Sequence, residues 1–415
     1  MSEKKNTGKK AVIAVIVIAL IVVIIALVAV ISGKSKKGGS KSATEAGSET
    51  MRSGQFDIDY AKQVTKLADY SGVAITVSND YEINDTAKQT YLTNVLQSYG
   101  ADAYKQVTDR DTVADGDYVK VDYTGYKDGK AFDGGSATDV MLDVTNNSQV
   151  GGSSFIDGFT KPLIGAKVGD KVKGDVTFPE DYGNDDLNGQ TVTFEYTVKG
   201  IYSADPVALA DMTDEQVNTV FGKAGVTTNA QLTTQIEKDL KQQLYSAEVD
   251  KIKSYMIENS TVEIPDEYLQ ARLNEYIASF TKENVKDGQT LKKYLKSNYN
   301  MTVDQATEKW KENLTDQIKT EFIFGLIAEK ENIKMDDDAF NSYVDYIVSA
   351  SNGQFSKASE VYKYFGSGHK DEGKTYLKNQ YLVNKAIDTV TEKANVTFED
   401  GSAAPDTSSG SADAE

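Results

Sequence analysis

The chain of 415 residues contains no cysteine. That absence excludes thiol catalysis, disulfides and thiolate-bound zinc together. Histidine is nearly absent as well. His369 is the single one, so a Ser-His-Asp triad would have to use it and a two-histidine metal site cannot form. It stands in Gly366-Ser367-Gly368-His369-Lys370-Asp371, which reads as a surface turn. No glycine pattern of the phosphate-binding kind occurs. Basic residues are outnumbered, 45 Lys and Arg against 63 Asp and Glu, giving a net charge of −18. A chain this acidic repels phosphate backbones, so nucleic acid is not an expected partner and a ribosome-bound role fits the charge poorly. These absences leave neither metal nor cofactor to expect, and most hydrolytic mechanisms lose their essential residues.

One long hydrophobic run is present. Ala11 to Ile31 is unbroken Ala, Val, Ile and Leu. At about 1.5 Å per residue it reaches roughly 31 Å as a helix, enough to cross a bilayer core. The apolar stretch of a cleavable signal peptide is shorter, about 7–15 residues, and ends in a small-residue exit site. Ala26-Leu27-Val28-Ala29 is a poor site of that kind. The reading is an uncleaved transmembrane signal anchor that makes the lipid bilayer a partner through residues 11–31. Lys4, Lys5, Lys9 and Lys10 precede it, and Lys34, Lys36, Lys37 and Lys41 follow it. This near-tie in flanking charge is resolved by the very short leading segment and its α-amino group. Residues 1–10 are then a cytoplasmic tail, and the bulk of the protein faces the exterior of the cell membrane.

Composition and periodicity divide the rest. Residues 32–55, rich in Gly, Ser, Lys and Thr, read as a flexible linker. Residues 56–113 are mixed and read as a connector. Residues 114–203 carry alternating runs at Tyr118–Tyr123, Val140–Val144, Val172–Phe178 and Val192–Val198. The turn signals Asp128-Gly129, Gly134-Gly135, Gly151-Gly152 and Asn188-Gly189 separate them. Short strands with one brief helix fit a half-barrel wrapped on that helix. Residues 204–399 switch to helical spacing. Leu232, Ile236, Leu240 and Leu244 form one stripe, Leu269, Leu273, Tyr276, Ile277 and Phe280 another, and Phe340, Tyr343, Val344 and Ile347 a third. Residues 400–415, Gly, Ser, Ala and acid, read as a disordered tail.

Three motifs stand in order inside the β-rich region. The first is Val119-Lys120-Val121-Asp122-Tyr123-Thr124-Gly125 with Asp128-Gly129-Lys130-Ala131-Phe132-Asp133. The second is Phe155-Ile156-Asp157-Gly158-Phe159 with Leu163-Ile164-Gly165-Ala166-Lys167-Val168-Gly169-Asp170. The third is Phe178-Pro179-Glu180-Asp181-Tyr182-Gly183 with Phe194-Glu195-Tyr196-Thr197-Val198. Together they resemble the FKBP-type peptidyl-prolyl isomerases. Beyond them, Asp69-Tyr70-Ser71-Gly72-Val73, Val107-Thr108-Asp109-Arg110, Val220-Phe221-Gly222 and Glu263-Ile264-Pro265 are similar to trigger factor, so the resemblance runs from about Leu67 to Phe398. It departs at the front, where the anchor stands in place of a ribosome-docking domain.

The resemblance implies an α+β chain. An FKBP-like antiparallel half-barrel would be followed by an all-α, trigger factor- or SurA-like chaperone domain, with one N-terminal transmembrane helix. It implies a cis-trans isomerase whose catalytic residues are Tyr123, Phe132, Asp133 and Tyr182, with Phe155, Ile156, Phe159, Leu187 and Phe194 binding substrate. Phe159 would form the pocket floor, Asp133 would orient Tyr123, the Tyr182 hydroxyl would donate to a substrate carbonyl, and Leu187 would form a wall. Aromatics on alternating strands are equally what a core uses. The 24 tyrosines offer either contact surface for unfolded chains or interior packing. Partners implied are unfolded or nascent exported polypeptides with X–Pro bonds. A non-catalytic holdase of the same shape is the alternative.

Overall fold

The computed structural model describes residues 51–96, 104–286 and 288–407. The expected tail 1–10, the span 11–31, the linker up to residue 50 and residues 408–415 lie outside the described residues. Among the described residues no helix is long and apolar enough to cross a membrane. These residues form two compact units, 83–240 and, taken together, 51–82 with 241–407.

The first unit is built on an antiparallel sheet. Strand Asp117–Lys127 lies between Lys130–Asp143 and Thr191–Pro206, and pairs with both. Thr191–Pro206 also pairs with Tyr104–Gln106 and with Lys171–Thr177, and Ser148–Gln149 extends the edge beside Lys130–Asp143. The first hairpin closes at Asp128-Gly129, where φ is +50° and +74°. Two successive positive φ angles make the tight turn whose twist matches the flanking strands, and Asp-Gly supplies them at little cost. Alternation then sorts the side chains. Val119 and Val121 point into one cluster with Leu142, Leu163, Val192, Phe194, Tyr196 and Val198.

Tyr118 points the other way. With Tyr104, Met141 and Tyr202 it meets Leu92 and Leu96 of helix Asp85–Leu96, Val217, Val220 and Phe221 of helix Asp214–Phe221, and Leu232 and Ile236 at the start of helix Asn229–Asn259. An apolar outer face needs a cover, and these helices supply it. Residues 83–113 and 204–240 belong with the sheet, while residues 56–82 of the expected connector belong to the second unit.

The brief helix expected under the sheet is one 3₁₀ turn, Lys161–Leu163. Gly158 and Gly165 flank it with φ of +82° and +84°, so neither end extends as a helix. The turn packs tightly on the sheet: a Cβ at Gly174 would lie 2.1 Å from Pro162 Cγ.

The second unit is mainly helical. Its main helices are the later part of Asn229–Asn259, then Asp266–Asn284, Leu291–Tyr299, Val303–Lys330, Asp337–Ala350, Ala358–Phe365 and Lys370–Glu392. Every residue from Glu321 to Ala328 is buried, so this end of Val303–Lys330 is the unit's axis. Arg272 and Glu321 form an ion pair inside it, Nη1 to Oε2 at 2.8 Å, and Gln317 Nε2 and the Tyr376 hydroxyl also donate to Glu321 Oε1. The unit is not purely α. Val64–Lys66 pairs antiparallel with Thr261–Val262, and Ala74–Val77 pairs parallel with Asn395–Phe398.

Two segments expected to be loose are tied down where they are described. Arg52 pairs with Glu372 at 2.7 Å, and Ser53 donates through its amide and hydroxyl to Glu275 at 2.9 and 2.6 Å. Past residue 400, Ala404 donates to the Val396 carbonyl, and the Thr407 hydroxyl donates to buried Glu248 at 2.6 Å. Composition hid these contacts because most are polar bonds to residues far along the chain. The helical stripes pack inward as their spacing requires, and every described tyrosine between 204 and 399 is buried or half-buried. The tyrosines of that stretch are interior packing rather than an open contact surface.

Candidate functional site

The nine residues singled out in the β-rich region do not all lie at the same depth. Tyr123 stands on the central strand and is half-buried; burial raises its hydroxyl pKa. Its ring meets Phe159 edge-on at 5.0 Å, Phe194 at 6.0 Å and Phe155 at 6.3 Å between centroids. Phe132 enters from the neighbouring strand and meets Phe194 at 5.9 Å and Phe178 at 6.2 Å. Phe178 carries Tyr182 on its other side at 4.5 Å. Edge-to-face contacts of this kind match the ring quadrupoles, so the cluster is cohesive beyond its area.

Two glycines make room for it. A Cβ at Gly125 would fall 2.6 Å from Phe132 Cε1 and 2.7 Å from Phe194 Cε1, and one at Gly135 would fall 2.5 Å from Phe132 Cε2. The Phe132 ring therefore lies against bare backbone on two strands. Gly135 was read as part of a turn signal and Gly125 only as the end of a motif; the close packing of Phe132 on both was not foreseen. Phe178 and Tyr196 were also missed as members of the ring cluster, although alternation along Thr191–Pro206 places Tyr196 on the same face as Phe194.

Phe159, expected as an open floor, is only 2 % exposed. The Phe155 ring lies flat on it, with centroids 4.2 Å and planes 13° apart. Leu187 and Phe194 are buried too. These three are the under-layer of the site, and the Phe155 ring covers one face of Phe159. The accessible layer is half-buried Tyr123, Phe132, Phe155 and Ile156 with Tyr182, which is 48 % exposed. The Tyr182 hydroxyl makes no hydrogen bond among the described residues, so it is available to a ligand.

Asp133 does not orient Tyr123. It is exposed, and no hydrogen bond joins the two. Alternation explains this: Phe132 takes the inward position of the strand, so its neighbour faces outward.

The loop carrying Phe155, Ile156 and Phe159 is held by side chains. The Tyr196 hydroxyl, buried and with its pKa pushed up by that burial, donates to the Phe159 carbonyl at 2.6 Å. The Asn147 amide donates to the carbonyls of Phe155 and Ile156 at 3.1 and 2.9 Å. At the entrance to the sheet, Arg110 clamps buried Asp117, and this hydrogen-bonded pairing pushes the Arg110 pKa further up. The arrangement is a ring-lined surface on which neither the Tyr123 nor the Tyr182 hydroxyl has a hydrogen-bond partner, and no acid-base pair stands there among the described residues. Chemically it suits binding and desolvation of an apolar group rather than bond cleavage.

Comparisons with known proteins match two stretches of the chain. A family model described as FKBP-type peptidyl-prolyl cis-trans isomerase matches residues 110–199. One described as bacterial trigger factor protein C-terminus matches residues 227–392. The chain is 28 % identical over 330 residues to a trigger factor of Agathobacter rectalis, covering 79 % of this chain and 69 % of that one. It is 29 % identical over 276 residues to one of Clostridium botulinum, covering 66 % and 62 %. It is 27 % identical over 339 residues to one of Acetivibrio thermocellus, covering 81 % and 74 %. A solved trigger factor chaperone structure aligns with TM-score 0.41 at 19 % identity, covering 79 % of this chain and 72 % of that one. The match thus spans roughly two thirds of the relatives' length.

Proposed function

We propose that this trigger factor-like chain, with its FKBP-type isomerase domain and trigger factor C-terminus, is a peptidyl-prolyl cis-trans isomerase and chaperone. The observation that carries the reading is the layered ring cluster around Tyr123 with the free Tyr182 hydroxyl at its rim. Rotation about an X–Pro bond meets a barrier of about 18–20 kcal/mol from amide resonance. Uncatalysed exchange takes tens of seconds and limits folding. No bond to the amide is made or broken, so the protein needs only to favour the twisted state.

Water stabilises the charge-separated planar amide. A surface of rings removes that water and so raises the planar state relative to the twisted one. Tyr123, Phe132, Phe155 and Ile156 hold the pyrrolidine ring while the preceding carbonyl turns. Tyr182 donates to a substrate carbonyl, and Phe159, Leu187 and Phe194 shape the bed beneath. Asp133, facing outward, contributes charge at the rim and does not steer Tyr123.

The reading extends to place. The chain is tethered to a cell membrane through residues 11–31, acts on unfolded exported polypeptides at the outer face, and does not dock on ribosomes. The apolar run and the −18 net charge support this. Protease added to intact cells should digest everything after Ser32; survival of that region would place it inside.

A second reading is a holdase without turnover, favoured by the covered Phe159 face. Line-shape or exchange NMR on a short X–Pro peptide separates the two. Added protein accelerates exchange on the first reading. On the second it suppresses client aggregation and leaves the exchange rate unchanged.

A further inference from the structure

We propose that Asn147 is a positioning residue for the isomerase site, fixing the loop that carries Phe155, Ile156 and Phe159. This rests on the isomerase reading above. Asn147 sits in a tight turn after strand Lys130–Asp143, with φ of +50°, a left-handed conformation that Asn tolerates better than most residues. The turn is braced by Asp143, whose carboxylate accepts from the Asn146 amide and side chain at 2.9 and 2.8 Å.

From there the Asn147 side chain reaches across the loop and spends its whole hydrogen-bonding capacity. Its two N–H groups go to the carbonyls of Phe155 and Ile156. Its oxygen accepts from the Thr160 amide at 2.9 Å and lies 3.1 Å from the Thr160 hydroxyl, itself buried and 3.1 Å from the Val144 carbonyl. Its backbone carbonyl accepts from the Phe155 amide at 2.8 Å.

One residue therefore grips both ends of the segment 155–160. With the Tyr196 hydroxyl on the Phe159 carbonyl, three loop carbonyls are held by side chains. The consequence is specific. The backbone under Phe155 is fixed, so the ring uncovers Phe159 by side-chain rotation alone, and Ile156 keeps its place while it does so. Removing the grip lets the loop drift and blurs the geometry presented to a prolyl ring.

The test uses the full chain and exchange NMR on an X–Pro peptide, which reads isomerisation at any pH. Asn147→Gly keeps the backbone conformation and removes the side chain. Asn147→Asp keeps the acceptor toward Thr160 and loses both donors while ionised, regaining one on protonation. Both variants are expected to lose on the order of ten-fold in kcat/KM near pH 8, chiefly through kcat: a displacement of about 1 Å in a reacting geometry can cost about 100-fold, and the Tyr196 hydroxyl still holds part of the loop. Lowering the pH to about 4, where an ordinary aspartate carboxyl is close to half protonated, should restore several-fold of activity to Asn147→Asp and none to Asn147→Gly or the unaltered chain. Asp143, the neighbouring carboxylate, is common to all three and cancels.

Wild-type activity in both variants near pH 8, or the same pH profile in both, overturns the role of Asn147 alone. If Asn147→Asp does not fold, Asn147→Gly decides through its kcat and through amide exchange across 155–160, which must quicken. An unaltered chain that does not accelerate exchange defeats the isomerase reading, and this proposal with it.

Discussion

Replacing Tyr182 by Phe removes a single oxygen from the site. The ring is 48 % exposed and meets Phe178 edge-on at 4.5 Å, a contact that Phe reproduces. The hydroxyl has no partner among the described residues, so its loss leaves nothing inside the protein unpaired. Stability should shift by less than about 0.5 kcal/mol, as for surface changes that break no contact. On the isomerase reading the hydroxyl finds its partner in a substrate carbonyl. A hydrogen bond of that kind has a net worth of about 0.5–1.5 kcal/mol. At 1.36 kcal/mol per decade, kcat/KM for an X–Pro peptide should fall roughly 2- to 13-fold. Exchange NMR near neutral pH measures it, with thermal unfolding as the control. An unchanged kcat/KM in a folded variant would refute the assignment. A fall in kcat/KM that merely tracks lost stability would refute the reasoning about the free hydroxyl.

Three further outcomes follow from buried polar groups. Tyr196→Phe strands the Phe159 carbonyl in the interior and should cost about 1–3 kcal/mol, read as faster amide exchange in strand Thr191–Pro206. Arg272→Met leaves Glu321 charged and unpaired and should destabilise the helical unit by about 3–5 kcal/mol in urea, reported by Trp310; adding Glu321→Leu should recover much of it. Burial raises the Asp239 pKa, although Tyr91 and Gln235 donate to it. A carboxyl raised in the folded state opposes folding most above its folded pKa, and the penalty fades as pH falls toward the unfolded value of about 3.9. Asp239→Asn should therefore be the more stable form near pH 7, with the gap closing on acidification; a gap independent of pH would contradict the cause given.

Local physics explains what was legible in the sequence. Val119, Val121 and Tyr123 alternate because one face of their strand is buried, and Asp128-Gly129 marks the hairpin because few other pairs accept two positive φ angles. Leu232, Ile236 and Leu244 keep helical spacing because their helix buries one side. What stayed hidden depends on distant partners. Tyr118 and Met141 looked like ordinary strand residues, yet they draw helices from before and after the sheet over its outer face. Arg272 and Glu321 are 49 positions apart, and nothing in the local sequence pairs them before two helices bury them together. Phe159 lies among the rings, but its cover is a matter of the Phe155 rotamer, which no residue pattern specifies. Asp133 was misjudged because a motif fixes position along a strand, whereas the strand's pleat fixes which way the side chain faces.

The account rests most directly on whether this surface of rings lowers the barrier to prolyl rotation. Exchange NMR between the cis and trans forms of an X–Pro tetrapeptide, with catalytic amounts of the full chain, tests it. The account predicts exchange faster than in buffer, saturating with peptide and reduced by Phe155→Ala, a variant that should still fold. Exchange at the uncatalysed rate, with the protein shown to be folded, would contradict it.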